Sequence, residues 1–197
     1  MEHYFTNNEN LKSELITIVY KCDDNEFTFF SDNGVFSKRK IDFGSNLLIE
    51  TIIKNVNKSN LDILDVGCGY GLIGISLAKM LNSHVLMSDI NNRALHLTEK
   101  NILHNNVDGK VVESDAYDNI TGNYDLIVTN PPIRAGKKQV YRILDDASNH
   151  LKKDGELWLV IRKEQGAKST IEHLKERYQV NIMEKSKGFY IIMAKNA

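Results

Sequence analysis

Residues 61–74 read Leu61-Asp62-Ile63-Leu64-Asp65-Val66-Gly67-Cys68-Gly69-Tyr70-Gly71-Leu72-Ile73-Gly74, and this stretch decides how the 197-residue chain folds. It opens as an apolar run of strand length and breaks into glycines at alternate positions. It then re-enters an apolar pattern at Ile73, Leu77, Met80 and Leu81. That second spacing is helical. A strand, a glycine loop and a helix form the unit from which parallel sheets are built, because parallel neighbours need a crossover. The glycines permit a tight turn and let a ligand approach the backbone where a Cβ would stand in the way.

Toward the C-terminus the alternation continues. His84–Ser88 is a predicted strand ending at Asp89, with a helix over about 92–105 after it. Lys110–Glu113 and Tyr124–Thr129 are strands, and a helix over 138–152 carries Val140, Ile143, Leu144, Ala147 and Leu151 on one face. Asp154-Gly155 turns into a strand over Glu156–Ile161, and a helix near 167–177 leads to Val180–Glu184. Lys185–Gly188 is too short for a crossover, so Phe189–Lys195 is expected to run antiparallel. The pattern predicts an α/β domain with right-handed crossovers and helices on both faces of a largely parallel sheet. Toward the N-terminus, 1–10 are polar, and short β-like runs at Leu15–Tyr20 and Glu26–Phe30 flank a CDDN turn. One domain over 1–197 is expected, with 1–45 as a β-rich extension and 46–197 as a Rossmann-like core.

Composition narrows the class. The chain is 42% hydrophobic and 26% charged with net charge -1, ordinary globular usage that excludes a polycation or a disordered chain. Cys22 and Cys68 lie far apart, which excludes a disulfide framework and a thiolate zinc site. The six histidines show no ligand spacing, so no metal is expected. The longest apolar run, Phe189 to Ala194, falls far short of the ~20 residues of a membrane helix. MEHYFTNNEN has no basic or apolar leader region, so a soluble, cytoplasmic protein is expected. The charge is uneven, however. Residues 61–130 carry 4 basic and 9 acidic groups, whereas 131–197 carry 14 and 8. That bias marks either a solvated lysine-rich surface or a region that meets an anionic partner.

In such sheets ligands bind outside the carboxyl ends of the strands, so the loops there carry the chemistry. Gly69-Tyr70-Gly71-Leu72-Ile73-Gly74 matches the dinucleotide pattern GxGxxG, and Asp89 lies 20 residues after Gly69. That frame starts three residues past the strand and leaves Asp65 unexplained. A carboxylate repels a pyrophosphate but favours a cationic ligand, so the loop points to a nucleoside without phosphates. Asp89 is placed to accept from ribose hydroxyls. Asp115, in Ser114-Asp115-Ala116, is either an acceptor for an adenine amine or a turn cap. Asn130-Pro131-Pro132-Ile133 contains both prolines of the chain and follows a strand. Proline fixes its own φ and restricts its predecessor, so the Asn130 side chain and the Pro131 carbonyl are held as two acceptors. Two fixed acceptors suit a planar amine; the plain alternative is a rigid turn.

DVGCGYG, the strand-end Asp89, SDA and NPPI, in this order and spacing, resemble the class I S-adenosylmethionine-dependent methyltransferases. Gly34-Val35-Phe36-Ser37 and Asp42-Phe43-Gly44-Ser45 narrow the resemblance to the RsmC-type group, whose characterised members methylate the 2-amino group of a guanine in 16S ribosomal RNA. The likeness covers roughly 26–195. It implies a Rossmann-like, seven-stranded sheet in the order 3-2-1-4-5-7-6 with the last strand antiparallel. It further implies S-adenosyl-L-methionine as cofactor and ribosomal RNA or the small ribosomal subunit as partner, the enzyme acting as monomer or homodimer. By the same likeness Asp65, Gly67, Cys68, Gly69 and Gly71 hold the methionine part. Asp89, with Ile90 beside it, holds the ribose, Asp115 and Ala116 the adenine, and Phe36 to Ser45 close over the cofactor.

On this reading Asn130, Pro131 and Pro132 are the catalytic segment, Asn130 also contacting the cofactor, and Ile133, Arg134, Lys137 and Arg39 meet substrate. Arg134, Lys137, Lys138 and Arg142 follow the fourth core strand; Arg162, Lys163 and Lys168 follow the fifth; Lys185 and Lys187 lie in the hairpin. Together with Lys38, Arg39 and Lys40 they are expected to form a basic rim. Ile133 stands where the family places an aromatic, so base stacking must come from elsewhere, with Phe36 or Tyr70 as candidates. The second, degenerate half of longer members has no counterpart here. Three rival readings remain: an NPP-type methyltransferase acting on a protein glutamine or an adenine, an NAD-dependent oxidoreductase, and a cofactor-binding module without catalysis.

Overall fold

An antiparallel ribbon, β1 (Ile16–Cys22) and β2 (Asn25–Ser31), precedes the main sheet in the computed structural model, which describes residues 13–35 and 40–196. Phe36 and Arg39 lie outside the described residues, as do Ser37, Lys38 and residues 1–10. Alternate residues of the ribbon are buried, with Ile18, Tyr20 and Cys22 on one strand and Phe27, Phe29 and Ser31 on the other. This is the period of a half-buried strand.

The ribbon leads to α1 (Phe43–Asn55), β3 (Asp62–Val66), α2 (Leu72–Met80), β4 (His84–Asp89), α3 (Asn92–Asn105), β5 (Gly109–Glu113) and β6 (Tyr124–Thr129). After these come α4 (Lys137–Asp146), β7 (Leu151–Arg162), α5 (Ala167–Leu174), β8 (Tyr178–Ser186) and β9 (Phe189–Asn196). The large sheet has the order β5-β4-β3-β6-β7-β9-β8. Counting its own strands alone, this is 3-2-1-4-5-7-6, and β9 runs antiparallel to both neighbours. The predicted α/β fold and topology stand. Lys187 (φ 48°) and Gly188 (φ 80°) form the two-residue turn that joins β8 to β9, and positive φ at both positions suits the right-handed twist of a hairpin.

Helices cover both faces. Ile63, Leu126, Val128, Trp158 and Val160 pack with α1, α2, α3 and the ribbon, while Leu64, Ile127, Leu157 and Leu159 pack with α4 and α5. The central strands are therefore apolar on both sides, as parallel strands under helices must be.

Two segments differ from the sequence reading. The helix expected over 138–152 ends at Asp146, and a 3-10 turn (Ala147–Asn149) delivers Leu151 into β7 opposite Tyr124. Asp154-Gly155 falls within the span of β7 but inside a register irregularity, where Tyr124 pairs with Leu151 and Leu126 with Glu156, and regular pairing begins at Glu156 as expected. A Cβ on Gly155 would sit 2.7 Å from the Tyr124 carbonyl oxygen, so glycine admits a close backbone approach there. In addition, α1 crosses the boundary drawn at residue 46. It buries Leu48, Ile49 and Ile52 and is capped by Asp42, whose Oδ2 accepts the Ser45 N–H at 2.8 Å.

Candidate active site

The carboxyl ends of β3, β4 and β6, with the segment after β5, converge on a cleft of about 570 Å³. Side chains and backbone tie these ends together. Thr129 Oγ1 donates to the Val66 carbonyl at 2.8 Å, fixing the end of β6 against that of β3. The Gly67 and Cys68 N–H groups donate to the Ser88 carbonyl at 2.8 and 2.9 Å, which anchors the glycine loop on β4.

One half of the cleft is built around buried carboxylates. Asp65 Oδ2 accepts the Gly74 N–H at 2.9 Å, while its Oδ1 is buried with no partner among the described residues. Burial pushes its carboxyl up to about 7, against the pull of the Gly74 N–H. A buried oxygen without a donor is costly unless a ligand supplies one, and a cation serves best. Gly67 (φ +74°) and Gly69 (φ +58°) turn past this residue in the left-handed region, with open space where a Cβ would stand. Gly74, the last glycine of the dinucleotide frame, has a packing role: a Cβ there would lie 2.7 Å from Met87 Sδ. Asp89 is held by the Gly69 and Asn91 N–H groups, both at 2.9 Å, one on each oxygen. The Ile90 N–H also acts on it, so of the about four acceptor positions of a carboxylate at least one remains for a ligand hydroxyl. Ile90 presents an exposed apolar surface to the cleft, and Ala116 stands at φ 50° on its wall. Cys68 is buried with Sγ 3.8 Å from Thr98 Oγ1, and burial pushes its thiol up, so it packs and does not act as a nucleophile.

Asp115 lines the cleft, yet its carboxylate is engaged from α4: Gln139 Nε2 donates to Oδ1, and Arg142 Nη1 lies 3.1 Å from Oδ2. Each oxygen thus has one partner within the protein, while the part-exposed carboxylate keeps further acceptor positions on the cleft wall. Its backbone and that of Ala116 remain on the wall.

The other half carries the Asn130 segment. Asn130 Nδ2 donates to Ser45 Oγ (2.9 Å) and to Asp42 Oδ2 (3.2 Å). Its Oδ1 takes part in no hydrogen bond among the described residues. Pro132, at φ -75° and ψ 77°, centres an inverse γ-turn in which Ile133 N–H donates to the Pro131 carbonyl at 2.8 Å. The turn fixes that carbonyl and leaves it one further lone pair. Tyr70 is only 3% exposed and packs edge-on against Phe29, so it offers no face to a base. Phe189, missed at the sequence level, lines the cleft instead. Arg162 lies 5.0 Å over its ring, and Phe43, with Lys187 over it, packs 5.4 Å away.

Residues 26–193 match the methyltransferase small domain family. The chain belongs to that family. A Bacillus subtilis relative named as the uncharacterized protein YbxB is 45% identical over 98% of both chains. Ribosomal RNA small subunit methyltransferase C of Buchnera aphidicola is 38% identical over 87% of this chain and 50% of its own length. The chain spans half or less of these longer relatives, 41% in the Mannheimia succiniciproducens counterpart. The solved T. thermophilus 16S rRNA N2 G1207 methyltransferase (RsmC), in complex with AdoMet and guanosine, superposes with a TM-score of 0.86. It is 23% identical and covers 95% of this chain and 52% of that one. The chain is thus an RsmC-like S-adenosylmethionine-dependent methyltransferase.

In this methyltransferase the residues present fit the cofactor. The orphaned Asp65 Oδ1 suits its ammonium, the spare acceptor capacity of Asp89 its ribose, and the open space at Gly67 and Gly69 its methionine chain. Around the cleft, exposed Arg134, Lys137, Lys138, Lys163, Lys168, Lys185 and Lys187 all sit at the carboxyl-end rim. Arg142 does not join them: it lies against Asp115, Asp118 and Asp146, and its charge is spent within the protein. Among the described residues no three His, Cys, Asp or Glu side chains gather as metal ligands, and no helix is long and apolar enough to cross a membrane.

Proposed function

We propose that this enzyme methylates the exocyclic 2-amino group of a guanine in ribosomal RNA, on 16S RNA or on the assembled small subunit. The observation that carries the reading is the polarity of Asn130. Its amide nitrogen is turned to Asp42 and Ser45, so its oxygen is the group left to meet substrate. An acceptor at that position, beside a second fixed one at the Pro131 carbonyl, matches an amine with two hydrogens.

When bound, S-adenosylmethionine supplies an electrophilic methyl group on a sulfonium. The protein's part is orientation and charge. An exocyclic amine conjugated to a purine ring is a poor nucleophile, and its nitrogen gains positive charge as it attacks. Asn130 Oδ1 and the Pro131 carbonyl, accepting from its N–H groups, align its lone pair and stabilise that charge. Pro132 and Ile133 offer one apolar wall to the base and Phe189 another. The basic rim supports a nucleic-acid substrate over a protein one, since phosphates are what such a rim meets. The likeness to ribosomal RNA small subunit methyltransferase C and to the T. thermophilus 16S rRNA N2 G1207 methyltransferase supports the same choice.

The test is transfer of radiolabelled methyl from S-adenosylmethionine to 30S subunits, naked 16S RNA and total protein extract in parallel. Label on a guanine amine by nucleoside analysis is expected, and Asn130→Ala should reduce its rate about 100-fold or more with cofactor affinity within twofold. Label confined to protein, or to adenine, would overturn the guanine assignment.

A further inference from the structure

Asp42 and Ser45 do more than begin a helix, and the difference lies in how three polar groups share hydrogens. The Ser45 hydroxyl has one hydrogen and lies 3.1 Å from Asp42 Oδ2, an atom that only accepts when ionised. The hydroxyl therefore donates to the carboxylate and meets Asn130 Nδ2 (2.9 Å) as an acceptor. The same amide nitrogen also donates to the carboxylate at 3.2 Å. Each contact fixes the polarity of the next, and the chain of donors runs in one direction only. An asparagine amide turned over by 180° would put its oxygen against the carboxylate and the hydroxyl lone pairs, and would present N–H groups to the cleft.

We propose that Asp42 is a positioning residue for methyl transfer: with Ser45 it selects the one amide orientation in which Asn130 Oδ1 faces the acceptor amine. The inference rests on the reading that Asn130 accepts from that amine. Without the carboxylate the two orientations become closer in energy, and the flipped one opposes a donor with a donor. The loss then falls chiefly on kcat, because what Asp42 holds is the orientation of the group that meets the acceptor amine. The neighbouring residues reinforce the placement. A Cβ on Gly44 would stand 3.1 Å from Asp42 Oδ2 and 2.8 Å from Phe189 Cε1, so carboxylate and aromatic wall share one contact point.

Asp42→Ser separates the two roles, since serine remains a good helix cap but is too short to reach Asn130. Asp42→Asn keeps an acceptor oxygen at the same reach. With 30S subunits and 16S RNA as acceptors, Asp42→Ser is expected to lower kcat by about 10- to 100-fold with KM for S-adenosylmethionine within twofold, and Asp42→Asn to restore most of it. Added to Asn130→Ala, Asp42→Ser should cost nothing further. In the free protein, the Asn130 side-chain amide protons should exchange slowly in the parent and rapidly in Asp42→Ser. Parent-like kcat in Asp42→Ser, equal impairment in Asp42→Asn, or unchanged amide exchange would each overturn the positioning role. If Asn130→Ala itself transfers methyl at the parent rate, the reading of Asn130 falls instead.

Discussion

The Gly74 N–H, in the first turn of α2, donates to Asp65 Oδ2 at 2.9 Å, so the helix holds one carboxylate oxygen and leaves the other without a donor. Asp65 is thereby shaped for a ligand at the expense of the unliganded fold. An aspartate titrates near 3.9 in an unfolded chain, and this one near about 7 when folded. Between those values the folded state holds more protons, so stability falls as pH rises from about 4 to 7 and stays lower above. Asp65→Asn should therefore raise the melting temperature of the free protein at pH 8, by roughly 3–6 °C for a gain of about 1–2 kcal/mol. Calorimetric titration of the same variant should show cofactor binding lost. In the parent, affinity should fall up to about tenfold per unit as pH drops below about 7. Unchanged binding in Asp65→Asn would remove this residue from the cofactor site.

The rim makes a separate prediction. Arg134 and Lys137 are exposed and form no ion pair among the described residues, although Lys137 Nζ lies 4.9 Å over the Tyr141 ring. Arg134→Ala with Lys137→Ala should weaken RNA binding and flatten the dependence of log affinity on log salt by about 1.5. Cofactor affinity should not move. Arg142→Ala should instead destabilise the fold, because its partners are Asp115, Asp118 and Asp146.

Gly44 tests the aromatic wall. Its substitution by alanine forces the Phe189 ring to move, since the new Cβ would lie 2.8 Å from Cε1 and 3.0 Å from Cδ1. The expected cost is about 1–3 kcal/mol of stability, together with a raised KM for RNA in steady-state assays. Phe189→Ala should raise KM without the stability loss that overpacking brings.

The ribbon is held by two asparagines. Asn101 accepts the Phe30 N–H (2.7 Å) and donates to the Phe30 (2.9 Å) and Tyr70 (2.8 Å) carbonyls; Asn105 accepts the Thr28 N–H and donates to the Thr28 carbonyl. Asn101→Ala strands these buried backbone groups, and its cost in denaturant unfolding should be about 2–4 kcal/mol. Because Tyr70 belongs to the glycine loop, cofactor affinity should fall as well.

The strands and the antiparallel last one were legible from period and loop length, since strands such as Tyr124–Thr129 and His84–Asp89 announce themselves by apolar runs ending in polar residues, whereas the strand order followed from the family resemblance. The helix α1 was hidden because Asp42-Phe43-Gly44-Ser45 was read for its resemblance and not for its Asp-x-x-Ser cap. Asp115 and Arg142 carry charge whose destination depends on a partner 27 residues away in sequence, which spacing does not show. Phe189 was visible only as part of a strand, because its neighbours in the cleft come from α1 and β7. Asn101 and Asn105, in the last two turns of α3, are polar residues that sequence places outside, yet they are 0% and 4% exposed. Their i, i+4 spacing was the one available signal.

That pair has a consequence for how the protein drifts. Four residues of helix advance about 6 Å and two residues of strand about 6.6 Å, so α3 presents its amides in step with every second peptide of β2. What the helix recognises is peptide groups, which every residue but proline supplies in full. The attachment itself thus places no demand on the side chains at positions 28 and 30, and the burden of staying constant shifts to the two asparagines. Any ribbon that arrives extended, in register and with apolar residues at the buried positions 27 and 29 meets the same two amides.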